Sequence, residues 1–181
     1  MKKLFLLLYL SLNLLALEKL NLQDESLPAN AKERLESISH HAIKLGNGTT
    51  CEKYVFVDPM CPFSRAYIKK ITQDIELQKV HTYYIFLYKL PKYESNKLSQ
   101  LIYQSKNPLE ILKDVMVKEQ KVDLNLHIPN TNLQKKIDSI SEVANELNVA
   151  IRPYIMRFDK GSNYCTVSTG TAPCTEEADF N

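Results

Sequence analysis

The run Lys53-Tyr54-Val55-Phe56-Val57-Asp58 constrains this chain more than any other stretch. It is short, aromatic and β-branched, which predicts a buried strand over residues 53–58. Pro59 breaks it, and Cys61-Pro62 opens a helix expected to run to about Glu76, with proline at the first turn where no hydrogen bond is lost. Val80 to Tyr88 is again β-branched and aromatic, and predicts a second strand. A cysteine is thus set between the end of a buried strand and the start of the helix leading to the next one. Free N–H groups at a helix N-terminus favour negative charge, so a thiol there ionises more easily. The thiolate is the species that attacks disulfides. A lone cysteine without such a setting is most often buried and inert.

The rest of the chain reads as follows. Pro28 to Leu45 predicts an amphipathic helix, with Ala31, Leu35, Ile38, Ala42 and Leu45 at steps of four and three, ended by Gly46-Asn47-Gly48. Beyond Pro91 come three helical patterns: Asn96 to Ser105; a stretch capped by Asn107-Pro108 and running to about Gln120; and Asn132 to Asn148, with Ile137, Ile140, Val143 or Ala144, and Leu147 on one face. Arg152-Pro153 interrupts the pattern. Tyr154 to Phe158 predicts a strand, Asp159-Lys160-Gly161 a turn, and Tyr164 to Val167 a last strand. The tail from Ser168 has no periodicity. This order alone fixes only an α/β or α+β class.

The N-terminus reads as a targeting signal. Met1-Lys2-Lys3 is basic, and Leu4 to Leu15 is an apolar run of signal-peptide length that is too short to span a membrane. Ala16 is the expected cleavage residue, although Leu14 fits the minus-three position poorly; an uncleaved anchor is the alternative. Export to the periplasm would put four cysteines where disulfides persist. The expected division is a signal peptide over 1–16, an N-terminal helix and linker over 17–50, and one domain over 51–181 with a helical insertion at about 95–148. Of the 23 basic residues, 21 remain without Lys2 and Lys3, against 21 acidic ones. That balance gives no electrostatic argument for nucleic acid or an anionic membrane as partner.

Phe56-Val57-Asp58-Pro59-Met60-Cys61-Pro62-Phe63-Ser64 resembles the active-site segment of the DsbC/DsbG family of disulfide isomerases, Phe-x-Asp-x-x-Cys-x-Tyr-Cys. Leu90-Pro91, Lys113-Asp114-Val115-Met116, and Leu147-Asn148-Val149 followed by Pro153 resemble further family segments in the same order. The similarity covers about residues 51–167. It implies a thioredoxin-like fold with a helical insertion between the second strand and the cis-proline strand, preceded here by a short N-terminal helix. It implies that Pro153 is the cis-proline packed against Cys61. Arg152 then lies beside Cys61, where its guanidinium would favour the thiolate and bind a carboxylate or carbonyl of a substrate. Pro62, Phe63, Arg152 and Pro153 are the expected substrate-binding residues. Three features depart from the family. Ser64 replaces the second motif cysteine, Arg152 replaces Thr or Val, and the N-terminal segment is too short for a separate dimerisation domain. No helix is expected after the last strand.

Ser64 changes the chemistry. A Cys-x-x-Cys pair releases its own mixed disulfide and stores two electrons. With Ser64, which can at most donate a hydrogen bond to the Cys61 thiolate, the motif does neither. The expected activity is monothiol, isomerase-like exchange on cysteines of exported proteins, with Cys61 and Ser64 as the catalytic pair and no cofactor. The alternative is a redox-silent binding or chaperone module. A membrane redox partner and a homodimer through the N-terminal helix are the further partners to be considered. Cys51 and Cys61 flank one strand, roughly 20 Å apart if extended, and cannot pair. Cys165 and Cys174 are the expected disulfide, pinning the tail, with Cys51–Cys174 as the competitor. Cys51 is otherwise left as a resolving or intermolecular thiol. His40, His41, His81 and His127 show no metal-ligand spacing. No metal site is expected, and His40 and His41, being adjacent, would diverge on a helix.

Overall fold

A computed structural model describes residues 28–124, 128, 130–163 and 165–169. The expected signal peptide, Cys174 and His127 lie outside the described residues. The strands are β1 (Ile43–Leu45), β2 (Cys51–Val57), β3 (His81–Leu87), β4 (Tyr154–Asp159) and β5 (Cys165–Thr169). They form one sheet in the order β1-β3-β2-β4-β5. β2 and β3 are parallel, and the other neighbours are antiparallel. Parallel neighbours need a crossover, and the segment between β2 and β3 supplies it. β2 is flanked on both sides, and Tyr54, Val55, Phe56 and Val57 are all buried. A strand covered on both faces reads as a continuous apolar run rather than an alternation, as this one does.

The helices are α1 (Ala31–Ser37), α2 (Pro62–Gln73), α3 (Ile75–Val80), α4 (Asn96–Gln104), α5 (Pro108–Met116) and α6 (Thr131–Glu146). α2 buries Ser64, Tyr67, Ile68 and Ile71, a spacing of three and four that keeps one face on the core. α4, α5 and α6 form the helical stretch between β3 and β4. Ile102, Leu112, Ile140 and Val143 from these helices join the same core as Val55, Phe56, Ile85 and Phe86 from the sheet. Asn130 caps α6 by accepting from the amides of Asn132 and Leu133.

Four elements differ from the sequence expectation. The helix expected over 28–45 ends at Ser37. A 3-10 turn over Ser39–His41 and the strand β1 follow. Ile43 and Leu45 are buried and Lys44 is exposed, so these residues obey a period of two and pair with Tyr83 to Ile85. Because His40 and His41 lie in a 3-10 turn, their rings meet at 3.8 Å between centroids instead of diverging. The helix after Cys61 breaks at Asp74, which is extended and whose carboxylate caps α3 by accepting from Leu77 N; Val80 is therefore helical, not strand. α5 ends at Met116, short of Gln120. Gly46 and Gly48 do not end a helix. They carry the chain from β1 to β2 against the start of β3, where a Cβ on Gly48 would meet the Val80 carbonyl carbon at 2.0 Å.

Candidate functional site

β2 ends at Val57, and residues 58–61 turn the chain into α2. The turn is held by Asp58, which is fully buried. Its Oδ1 accepts from Met60 N at 2.8 Å, and its Oδ2 accepts from Leu90 N at 2.6 Å and from the Ser95 hydroxyl at 2.9 Å. Its carbonyl accepts from Cys61 N at 3.0 Å. One carboxylate thus fastens the cysteine loop to the segment after β3 and to Ser95, the N-cap of α4. A buried carboxylate needs such donors to offset its desolvation. Arg65 adds a second tie, its Nε donating to Pro59 O at 2.8 Å. Asp58 belongs to the motif quoted above, yet no role for it was visible in the sequence, because its partners lie 32 and 37 residues further on.

Cys61 is the N-cap of α2, with extended backbone, and Pro62 is the first helical residue. Pro62 has no N–H, so the open first-turn amides are those of Phe63 and Ser64. No side chain caps them. The Cys61 sulfur lies 3.6 Å from the carbonyl oxygen of Arg152, to which the thiol donates. The Arg152–Pro153 peptide is cis. The structure therefore brings Cys61 and the Arg152-Pro153 turn together across 91 residues. Cys61 is only 2% exposed, so the thiol is less accessible than a helix-start position suggests. Its neighbours Met60 and Phe63 are the opposite, at 42% and 60% exposed, and make an apolar rim beside it.

Ser64 is buried, and its hydroxyl oxygen accepts from Asp58 N at 3.2 Å. It helps to close the turn around Cys61, and this bond is not the expected one to the sulfur. Arg152 contacts Cys61 through its backbone. Its carbonyl, not its guanidinium, faces Cys61. Nε donates to Tyr88 O at 2.9 Å, Nη1 to Val149 O and Ile151 O at 2.9 Å each, and Nη2 to Lys89 O at 3.3 Å. The guanidinium carbon sits 3.8 Å from the centroid of the Tyr88 ring. Burial holds the Arg152 pKa below its usual value. Four carbonyl oxygens from the β3 end and from its own loop hold the side chain, and the Cys61 charge acts on it without a hydrogen bond.

The other cysteines are not at this site. Cys51 starts β2, at the opposite end from Cys61, and is 1% exposed with its sulfur 2.9 Å from His81 Nδ1. Burial pushes its thiol pKa up. In the folded chain this sulfur is enclosed against His81, away from the Cys61 turn. Cys165 starts β5, opposite Phe158 of β4, whereas Cys51 is opposite Asp159 of the same strand. Successive residues of β4 point to opposite faces, so Cys51 and Cys165 lie on opposite faces of the sheet. The expected partner of Cys165, Cys174, lies outside the described residues.

No family model matches the chain, and no curated protein matches it. Solved structures do. A disulfide interchange protein from Neisseria gonorrhoeae aligns with a TM-score of 0.58 at 18% identity, over 78% of this chain and 94% of that one. Pseudomonas aeruginosa DsbA2 aligns with a TM-score of 0.61 at 10% identity, over 75% and 90%. The catalytic domain of Proteus mirabilis ScsC aligns with a TM-score of 0.56 at 15% identity, over 76% and 88%. At these identities the likeness is one of architecture, and it settles the fold expected from the motif: the chain has the thioredoxin-like fold of the Dsb-type disulfide interchange proteins.

Proposed function

We propose that this chain exchanges disulfides on cysteines of exported proteins, with Cys61 as the only thiol of its motif. The observation that carries the reading is the placement of the Cys61 sulfur between the open N-terminus of α2 and the Arg152 carbonyl before cis-Pro153. The helix terminus offers its partial positive charge to a thiolate. A thiolate has no proton for the Arg152 carbonyl, so that contact is given up when the thiol ionises. The Cys61 thiolate attacks one sulfur of a client disulfide. The client S–S bond breaks, one client sulfur leaves as a thiolate, and the other is held in a Cys61 mixed disulfide. A second client thiolate then attacks the held client sulfur and releases Cys61 as a thiolate. The client has changed partners, no electrons are gained or lost, and no cofactor enters. Ser64 has no sulfur to cut this cycle short. Met60 and Phe63 supply an apolar rim on which an unfolded client segment can rest.

The test uses a small client protein with scrambled disulfides and no added oxidant. The expected result is recovery of native pairing with the wild-type chain and none with Cys61→Ala. Equal recovery with both sinks the proposal. The burial of Cys61, with its thiol on a carbonyl, favours a second reading, a redox-silent binding module that uses the exposed Phe63 and Met60. In that case client binding survives Cys61→Ala and falls with Phe63→Ser.

A further inference from the structure

A groove of about 750 Å³ opens between the C-terminal end of β3, α4, α6 and the Arg152 loop, and Cys61 is not among its lining residues. Its size is that of a ligand pocket, roughly 300–1,000 Å³. Three lining residues carry unused polar capacity. Arg152 is 5% exposed and spends four of its five N–H groups on backbone carbonyls. No carboxylate among the described residues hydrogen-bonds to it; the charge of Asp58 acts on it without contact. Ser99, on the buried side of α4 and 3% exposed, makes no hydrogen bond through its hydroxyl to any described residue. Asn145 accepts from the Tyr88 hydroxyl at 2.6 Å, which leaves its NH2 as a donor.

The geometry points to this groove as a binding site for a peptide carboxylate, held by Arg152, Ser99 and Asn145. A buried cation whose hydrogen bonds all go to neutral carbonyls, with the Tyr88 ring against it and the Asp58 charge only at a distance, is incompletely compensated, and an anion completes it. Lys89, exposed in the lining, adds attraction of the same sign. The ligand is not a compact polyanion. Asp138, which accepts from Gln134 Nε2 at 2.7 Å, is also in the lining and opposes a second negative charge. The volume far exceeds one carboxylate, and Leu87, Ile137 and Val149 line the remainder, so the group arrives on an apolar peptide body. The carboxylate is that of a chain terminus or of an acidic side chain. The site needs no thiol chemistry, so it stands or falls separately from exchange at Cys61.

The experiment is an amide NMR titration of the Cys61→Ala protein with three N-acetylated tripeptides. These are Leu-Ala-Leu with a free C-terminus, the same tripeptide as its C-terminal amide, and a Leu-Asp-Leu amide. The expected result is saturable shifts at Ser99, Asn145 and Ala150 with at least one carboxylate peptide and none with the uncharged control. Which of the two responds identifies the source of the carboxylate. Ser99→Ala removes the hydroxyl and adds no bulk, and is expected to weaken binding about tenfold, the size of one hydrogen bond to a charged group. Asn145→Ala, at an exposed position where folding is not at stake, should weaken it in the same direction. Equal shifts from the amide control, shifts only around Phe63, no shifts from either carboxylate peptide, or unchanged affinity in both variants would overturn the proposal.

Discussion

Cys51 and Cys61 lie at the two ends of β2, the first residue of the strand and the turn just beyond it, and both are almost wholly buried. Their surroundings differ in kind. Cys51 is locked between two strands. It is opposite His81 on β3 and Asp159 on β4, and its sulfur meets the His81 ring. Cys61 is at a helix N-terminus, in a turn held by side chains, with exposed Met60 and Phe63 on either side. The difference teaches that burial alone does not separate a structural cysteine from a reactive one. A sulfur inside a ladder moves only if the sheet opens, whereas a sulfur in a turn is uncovered by local motion.

The largest expected effect tests this contrast directly. Native protein treated with an aromatic disulfide reagent, quenched and mapped by peptide mass, should carry the label on Cys61, while Cys51 is labelled only after unfolding. Cys61→Ala should abolish labelling of the 58–70 peptide and Cys51→Ala should leave it unchanged. Equal native-state labelling of the two cysteines would break the comparison.

Next in size is the effect of restoring a second thiol. Ser64→Cys should shorten the life of the Cys61 adduct by about a hundredfold or more, because an intramolecular thiol acts at high effective molarity. The same variant loses the bond from Asp58 N to the Ser64 hydroxyl, at a cost of about 1 kcal/mol. An adduct of unchanged lifetime, followed by mass spectrometry after dilution, would mean that the helix start is not oriented as described.

Asp58→Asn should act through the turn. The amide puts an NH2 where Leu90 N and Ser95 Oγ now donate to Oδ2. The Ser95 hydroxyl can rotate to accept, but the Leu90 N–H cannot. Leaving it unmatched should cost about 1–3 kcal/mol in urea unfolding. Labelling of Cys61 should change while that of Cys51 does not. A change at both cysteines would show that Asp58 supports the sheet rather than the site.

The parts of this fold legible in sequence were those with local causes. β2 and the entry to α2 were marked by a continuous apolar run, Pro59 and Pro62. α4 and α6 were marked by their periodicity. β1 was not legible, because Ile43, Lys44 and Leu45 fit a helical step as well as a strand, and only pairing with Tyr83 to Ile85 decides between them. The break at Asp74 was hidden because an aspartate within a helical run becomes a cap only if the chain turns there. At the site, the meeting of Cys61 with the Arg152-Pro153 turn was readable from the resemblance. The direction of the Arg152 side chain was not, because it is set by the carbonyls of Tyr88 and Lys89 at the end of another strand. The same holds for Asp58, whose role depends on Leu90 and Ser95.

The smallest expected effect lies at the Cys51 end and is a matter of pH. Burial raises the Cys51 thiol above its ordinary value of 9.0, with the Asp159 charge in the same direction and Lys53 and Arg157 opposing. The folded state therefore prefers the neutral thiol more than the unfolded chain does. That stability is fully present below the unfolded value and is lost as pH rises past it, since the unfolded chain then releases a proton the folded chain retains. The slope from this one group is at most about 1.4 kcal/mol per pH unit. Tyr54, Tyr84 and Tyr103 are also raised by burial from 10.0 and titrate over the same window, but they do so alike in wild-type protein and in Cys51→Ala, so the difference between the two proteins belongs to the cysteine. Over that window wild-type protein should lose more stability than Cys51→Ala in chemical unfolding, although the variant is the less stable of the two at pH 7 through its lost packing. Parallel declines for the two proteins would show that the Cys51 sulfur is better solvated, or better paired as a thiolate with His81, than its enclosure between β3 and β4 implies.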